Sequence, residues 1–100
     1  MIFGVGTDIV EIERIRKALE RWGERFAAKE AFTKALGTGI RSPAGWHGMW
    51  VVNLPSGKPE LRFSSDLEGF LSLKGVVRTH LSLSDEKGVA FATVILECEK

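Results

Sequence analysis

The 100-residue sequence has little of several residue types, and each shortage excludes a class of protein. Cys98 is the only cysteine, so no intramolecular disulfide can form, which fits a reducing compartment. One cysteine and two histidines are too few for a zinc site of the usual kind. No segment approaches the roughly 20 apolar residues that span a bilayer, and residues 1–10 lack the basic stretch and long apolar run of a signal peptide. We therefore expect a cytoplasmic globular protein.

An excess of either charge is also missing. The net charge is +1, which argues against a protein that binds nucleic acid through bulk charge. The glycines at residues 4–6 lack the spacing of a dinucleotide-binding fingerprint, and no Walker lysine follows a glycine loop. No serine stands in a nucleophile elbow. What the length does support is one domain with one core.

The apolar pattern along the chain predicts an α+β fold with a mostly antiparallel sheet and packed helices. Strands are predicted at residues 2–5, 49–54, 59–63, 76–83 and 89–97, and helices at residues 11–26, 26–36 and 66–73. Turns at residues 55–58 and 84–88 make the second and third strands one hairpin and the last two strands another. In the strand at residues 76–83, Val77 is predicted to share a face with Thr79, Leu81 and Leu83.

The alanine-rich stretch FAAKEAFTKALG at residues 26–37 is the strongest helix signal, and its final glycine supplies a stop. Its apolar residues fall on one face, and Lys29, Glu30, Thr33 and Lys34 fall on the other. Glu30 thus precedes Lys34 by one turn. This pair is either a surface salt bridge or a metal-binding carboxylate beside a phosphate-binding lysine, and the second alternative needs another carboxylate.

Asp8 is the candidate for that second carboxylate. It follows an apolar run where the strand is predicted to give way to a helix, a place where aspartate is often a capping or loop residue. Its apolar neighbours indicate nearby buried surface, where a carboxylate needs a partner. Two carboxylates with open coordination suit Mg²⁺, and a lysine one turn from Glu30 could neutralise a transferring phosphoryl group.

The helix at residues 11–26 has an apolar stripe and a separate basic stripe. The basic stripe is formed by Arg14, Lys17, Arg21 and Arg25. It is either solvated surface or a docking face for an acidic partner. In one straight helix over residues 11–36, the apolar stripes of the two halves would point about 150° apart. The pattern therefore predicts two helices, with a sharp bend or a missing piece between them.

Four motifs in order, covering nearly the whole chain, resemble one enzyme family. They are GVGTDIVEIERI at residues 4–15, FAAKEAFTKALGTG at 26–39, SGKP at 56–59 and HLSLS at 80–84. Together they strongly resemble holo-[acyl-carrier-protein] synthase, the short type of 4′-phosphopantetheinyl transferase. The resemblance implies one such domain over residues 1–100, with that family's fold.

The resemblance also implies a reaction and a site. The reaction is transfer of 4′-phosphopantetheine from coenzyme A to a serine of apo-acyl carrier protein, with release of 3′,5′-ADP, in fatty acid biosynthesis. Asp8 and Glu30 would be the Mg²⁺ ligands, and Lys34 would contact the phosphate under attack. Gly37, Pro59 and His80 match positions that line the coenzyme site, although a packed strand histidine explains His80 equally well.

Two partners follow from the same resemblance. Acyl carrier proteins are acidic, which gives the basic stripe a natural partner. The family is a homotrimer with sites at subunit interfaces, which suits a small chain with a limited core. Neither nucleic acid nor a membrane is an expected partner. Rival hypotheses are a non-catalytic trimeric module that binds coenzyme A or carrier protein, and a small nucleic-acid binder that uses the basic stripe.

The sequence departs from the family in two places. The family carries a couple of dozen further residues between the first helix and the Lys-Glu motif, whereas here Phe26 runs straight into Ala27. Either the segment is deleted, or these 100 residues leave out part of the chain. We favour the second alternative, because a deletion would have to reposition Glu30 relative to Asp8. The second departure is Asp85, where the family often has histidine.

Overall fold

The computed structural model describes residues 1–11, 20–39 and 46–99, and these form an α+β fold, as predicted. In chain order the elements are β1 (Ile2–Glu11), α1 (Glu20–Leu36), a 3₁₀ turn (Trp46–Gly48), β2 (Met49–Asn53), β3 (Pro59–Phe63), α2 (Ser65–Leu73), β4 (Val76–Glu86) and β5 (Val89–Cys98). Of the apolar stripe predicted for residues 11–26, Ile12, Ile15 and Leu19 lie outside the described residues. Within the described ranges, no helix is long and apolar enough to cross a membrane.

The strands form two antiparallel sheets. One sheet has the order β1-β5-β4, and the other is the predicted β2-β3 hairpin. The turn between β4 and β5 is shorter than the predicted five residues, because Lys87 and Gly88 both adopt positive φ (50° and 79°). A two-residue turn of this kind matches the twist of the flanking strands, so pairing extends to Glu86 and Val89.

β1 is longer than the predicted strand at residues 2–5, and the expectation that Asp8 stands at a strand-to-helix boundary was wrong. β1 pairs with β5 without interruption from Gly4↔Leu96 to Glu11↔Val89. The ladder of hydrogen bonds carries the strand past Gly6, where local sequence suggested a stop. Asp8 is therefore held in register opposite Ala92, inside a sheet.

α1 runs without a break through Phe26 and Ala27, so the prediction of two helices was wrong for residues 20–36. The junction contains no helix stop, and the one nearby glycine, Gly23, costs only about 1 kcal/mol in a helix interior. The predicted apolar face of residues 27–36 is confirmed, with Ala28, Ala31, Phe32, Ala35 and Leu36 all buried. Ala27 is also fully buried.

Thr33 was predicted to lie on the polar face of the helix but is almost completely buried. Its hydroxyl donates to the carbonyl oxygen of Glu30 at 3.0 Å, so the polar atom needs no water. A threonine that satisfies its own hydroxyl within the helix can face the core. Hydrophobic periodicity alone could not reveal this.

The core lies between α1 and the three-stranded sheet and continues under the β2-β3 hairpin and α2. Phe32 of α1 packs against Phe63 of β3, with ring centroids 5.1 Å apart. Ser64 caps α2, because its hydroxyl accepts from the backbone N–H of Leu67 at 3.3 Å. A register shift between Val76 and Arg78 exposes Val77 and buries Val76, which reverses the predicted faces at the start of β4.

Direct backbone contact fixes how α1 sits on β1. A Cβ on Gly4 would overlap the carbonyl oxygen of Ala35, and a Cβ on Gly6 would overlap that of Ala31 and lie 2.6 Å from the backbone nitrogen of Ala35. Only glycine permits this approach. Gly4 lies against Ala35, and Gly6, further along β1, also contacts Ala31, which is earlier in α1. The strand and the helix therefore run antiparallel, in one defined register.

Replacing Gly6 with alanine is expected to destabilise the fold by about 3 kcal/mol or more, because a Cβ there must push α1 away from the sheet. Gly69→Ala is the matched control. Gly69 lies in α2 with no atom near the added Cβ, so alanine should stabilise by up to about 1 kcal/mol. Urea unfolding of both variants measures the difference. A Gly6→Ala protein as stable as the parent would contradict the proposed backbone contact.

Candidate active site

Asp8 and Lys34 are brought together where α1 crosses β1. The Lys34 Nζ lies 3.1 Å from the Asp8 Oδ1 and also donates to the backbone carbonyl of Thr7 at 3.1 Å. The Asp8 side chain is only 14% exposed, whereas that of Lys34 is 54% exposed. The carboxylate is thus held at the edge of the core, and the ammonium reaches it from the solvent side. The sequence paired Lys34 with Glu30, so the contact between Lys34 and Asp8 is a finding of the structure.

Glu30 lies one helical turn before Lys34 and is half-buried. The antiparallel course of β1 and α1 places Gly6 beside the turn that contains Ala31, so Asp8 lies beside the turn before it. Glu30 and Lys34, one turn apart, share one edge of α1, and Asp8 contacts that edge through Lys34.

The donor chemistry of this edge fits a hard cation such as Mg²⁺, which prefers carboxylate oxygens and keeps several water or substrate ligands. Among the described residues, no group of three or more His, Cys, Asp or Glu side chains could hold a metal ion. A site built on two carboxylates would take its remaining oxygens from water or from a bound substrate. That arrangement is typical of Mg²⁺ sites that act on phosphate esters.

Two further predicted residues, Arg25 and Pro59, line a cavity of about 430 Å³ between α1 and the β2-β3 hairpin. Its walls are formed by Glu24, Arg25, Val51, Asn53, Gly57, Pro59 and Leu83. The cavity thus joins Pro59, predicted to contact the coenzyme, with Arg25 of the basic stripe. A larger cavity of about 600 Å³ between β3, α2 and β4 contains none of the predicted site residues.

Two charged groups on this half of α1 titrate away from their ordinary values. Burial raises the pKa of Glu24, the carboxylate of Asp85 raises it further, and Arg25 opposes both. Burial lowers the pKa of Lys29, and the nearby charge of Arg25 lowers it further. Asp85, the departure from the family pattern, therefore acts electrostatically on the start of α1.

His80 lies on the other side of the three-stranded sheet from Asp8. Asp8 pairs with Ala92, which is buried under α1, whereas His80 pairs with Ile95, which points to the opposite face. One chain therefore brings Asp8 and Lys34 together but places His80 on the opposite face of the sheet.

The remaining predicted residues are distributed as follows. Gly37 is the left-handed residue that ends α1, with φ 87°, and its N–H donates to the carbonyl of Thr33 at 2.8 Å. Arg25 is exposed on α1, and Arg21 lies in the first turns of the same helix. Arg14 and Lys17 lie outside the described residues.

Glu97 is a residue that the motifs did not reveal. Its Oε1 lies 2.5 Å from the Nε2 of His80 and 3.3 Å from the Nε of Arg78. The hydrogen bond from His80 lowers the pKa of the Glu97 carboxyl, burial opposes this, and Arg78 reinforces it. The signal that could have found Glu97 is the hairpin register, since a two-residue turn at residues 87–88 places position 97 opposite position 78.

Comparison with known proteins gives one consistent family. The family model of the 4′-phosphopantetheinyl transferase superfamily matches residues 23–94. The holo-[acyl-carrier-protein] synthase of Vibrio parahaemolyticus is 44% identical over 123 aligned positions, which cover 96% of this chain and 98% of the relative. Because the 123 aligned positions contain about 96 residues of this chain, about 27 positions of the relative have no counterpart here.

Solved structures agree. The crystal structure of holo-[acyl-carrier-protein] synthase from Neisseria meningitidis superimposes with a TM-score of 0.88 at 34% identity, covering 97% of this chain and 99% of that one. The enzyme from Bacillus anthracis in complex with CoA (3′,5′-ADP) gives 0.76 at 34% identity, covering 99% of both chains. With a family match over most of the chain and relatives aligned nearly end to end, this chain belongs to the holo-[acyl-carrier-protein] synthases of the 4′-phosphopantetheinyl transferase superfamily, a family of enzymes.

Proposed function

We propose that this protein transfers the 4′-phosphopantetheine group of coenzyme A to a serine of apo-acyl carrier protein in a Mg²⁺-dependent reaction. The other product is 3′,5′-ADP, and the reaction serves fatty acid biosynthesis in the cytoplasm. The observation that carries this proposal is the meeting of Asp8 and Lys34, with Glu30 one turn away along α1. Family membership and the coenzyme bound in the Bacillus anthracis structure support it.

The residues at this edge have separable roles. Asp8 and Glu30 would hold Mg²⁺, which would neutralise charge on the coenzyme pyrophosphate and orient it. Lys34, held by Asp8 and the carbonyl of Thr7, is in place to contact the phosphate under attack. Such a reaction depends on positioning and charge neutralisation more than on covalent help from the protein.

Asp8→Ala and Glu30→Ala should each lower transfer at least about 100-fold, because each removes a ligand of the ion that balances the pyrophosphate charge. The assay follows transfer from coenzyme A to apo-acyl carrier protein at increasing Mg²⁺ concentration. Glu86→Ala, an exposed carboxylate at the end of β4, is the control and should retain activity.

Near-normal turnover by either variant at ordinary Mg²⁺ would refute the metal assignment. A parent protein that binds coenzyme A but transfers nothing would instead be a non-catalytic binding module.

We also propose that the chain itself lacks the two dozen residues that its relatives carry, at the junction of Phe26 and Ala27. The objection to a deletion was that Glu30 would move relative to Asp8. In this fold the register of Glu30 is set by Gly4 and Gly6 against the second half of α1. A shorter chain before Phe26 would therefore leave these contacts between β1 and α1 in place.

The basic stripe is proposed as the docking face for the acidic carrier protein. Opposite charge mainly accelerates encounter and makes binding dependent on salt. Arg25 of the stripe is exposed, and it lines the same cavity as Pro59. A carrier protein on this face would present its serine beside the coenzyme.

Reversing Arg14 and Arg21 to glutamate should weaken carrier-protein binding at least about tenfold at low salt and change coenzyme binding little. Arg62→Glu, an exposed arginine on the hairpin, is the matched control. Calorimetric titration with each ligand separates the two effects. Unchanged carrier-protein affinity in the double variant would mean that the stripe is solvated surface.

A homotrimer is the proposed assembly. The sheet face opposite α1 leaves large apolar side chains in water: Val5 is 56% exposed, Ile9 64% and Phe91 40%. Val5 pairs with Ile95 and Ile9 pairs with Phe91, with the Thr7–Thr93 pair between them. Exposed apolar pairs on one sheet face are typical of a subunit interface.

Such an assembly would also resolve the separation of His80 from Asp8. His80 lies on the exposed sheet face, beside Ile95, so a neighbouring chain packed there would meet it. In a cyclic arrangement each chain would supply Asp8, Glu30 and Lys34 to one site and His80 to the next. The proposal therefore gives both groups a place in one coenzyme site.

Mixing two inactive variants tests this sharing. The Asp8→Ala protein should lose at least about 100-fold in activity and the His80→Ala protein at least about tenfold. A mixture of the two after subunit exchange should recover toward about a quarter of parental activity, because random pairing restores that share of sites. Sedimentation should give about three times the 11.0 kDa of one chain. Failure to recover in an exchanged trimer would show that each site lies within one chain.

A further inference from the structure

An ion-paired cluster occupies the exposed face of β4 and β5, away from Asp8 and Lys34. One oxygen of Glu97 meets both the Nε2 of His80 at 2.5 Å and the Nε of Arg78 at 3.3 Å. All three residues point to the same side of the sheet, because Arg78 pairs with Glu97 and His80 lies two residues further along β4. Glu97 is the least exposed of the three, at 29% for its side chain, against 47% for His80 and 69% for Arg78.

The hydrogen-bond chemistry defines the state of the histidine ring. An ionised carboxylate can only accept, so the Nε2 of His80 must carry a proton when it contacts Glu97. The Nδ1 is then the other polar atom of the ring, and it donates as well when the ring is positively charged. A ring held between the Glu97 carboxylate and a second anion would donate from both nitrogens. Glu97 thus orients the ring and prepares Nδ1 to meet an anion.

Stability does not account for this arrangement well. Exposed ion pairs contribute little to folding, since water screens them and the side chains lose freedom. A cluster in which Arg78 fixes Glu97 and Glu97 fixes His80 has a larger effect on the direction of the imidazole than on the free energy of unfolding.

We propose that Glu97 is a positioning residue of the coenzyme site, which holds His80 in one orientation so that its Nδ1–H meets a phosphate oxygen of the bound coenzyme. The inference rests on the proposed function, in which His80 completes the site of a neighbouring chain. Glu97 itself touches no substrate and acts through the ring. Arg78 supports it by occupying the same carboxylate oxygen.

The test compares Glu97→Gln, His80→Asn and the double variant, with Glu60→Gln as control. Glu60 also forms an exposed ion pair, with Arg62 at 2.8 Å on the β2-β3 hairpin, away from His80. Glu97→Gln should raise the KM and Kd for coenzyme A about five- to tenfold and leave kcat within about twofold, because a charge-assisted hydrogen bond to the ring is lost. In the His80→Asn background the same change should add nothing.

Nuclear magnetic resonance of the ring nitrogens gives a readout that a merely structural role would not move. The His80 signals of the parent should show a hydrogen-bonded, protonated Nε2, and Glu97→Gln, but not Glu60→Gln, should change them. Thermal unfolding confirms that each variant is folded.

The outcomes separate the inference from the proposed function. Normal coenzyme binding by Glu97→Gln, alongside weakened binding by His80→Asn, overturns the inference and leaves the proposed function intact. Equal losses from Glu97→Gln in the parent and in the His80→Asn background also overturn it, because Glu97 would then act independently of the ring. Normal coenzyme binding by His80→Asn overturns the inference together with the place of His80 in the site.

Discussion

The close approach of β1 to α1 is the constraint on which the rest of this structure depends. Gly4 and Gly6 leave no room for a side chain between the strand and the backbone of Ala31 and Ala35. Two rigid elements in backbone contact have one register, and that register decides which helical side chains reach Asp8. Lys34 forms an ion pair with Asp8, and Glu30 lies one helical turn before Lys34. The chemistry of the site is thus set by two residues that have no functional group.

The same packing separates the two faces of the three-stranded sheet. Residues that alternate along β5 are buried under α1 or point to the exposed face, where His80, Glu97 and apolar side chains such as Ile9 are found. In the described residues, one face of this sheet is covered by α1, and the other leaves Val5, Ile9 and Phe91 exposed.

The two halves of α1 carry charged residues to different parts of the structure. The half of the helix that contacts Gly4 and Gly6 carries Glu30 and Lys34, whereas the half before Phe26 carries Arg25 and Glu24 to a separate cavity. Burial in that cavity raises the pKa of Glu24, whereas Asp8 and Lys34 lie at the other half of the helix.

The sequence by itself determined the α+β class, the hairpin of β2 and β3, the start and end of α2 to within a residue, and the buried face of α1, because these follow from local periodicity and turn chemistry. The motifs also identified the family. Tertiary structure alone decided the length of β1, the burial of Thr33, the exchange of Val76 and Val77 at a bulge, and the partnership of Glu97 with His80. Each of these depends on pairing or packing between distant segments, and no local pattern carries the register in which two such segments meet.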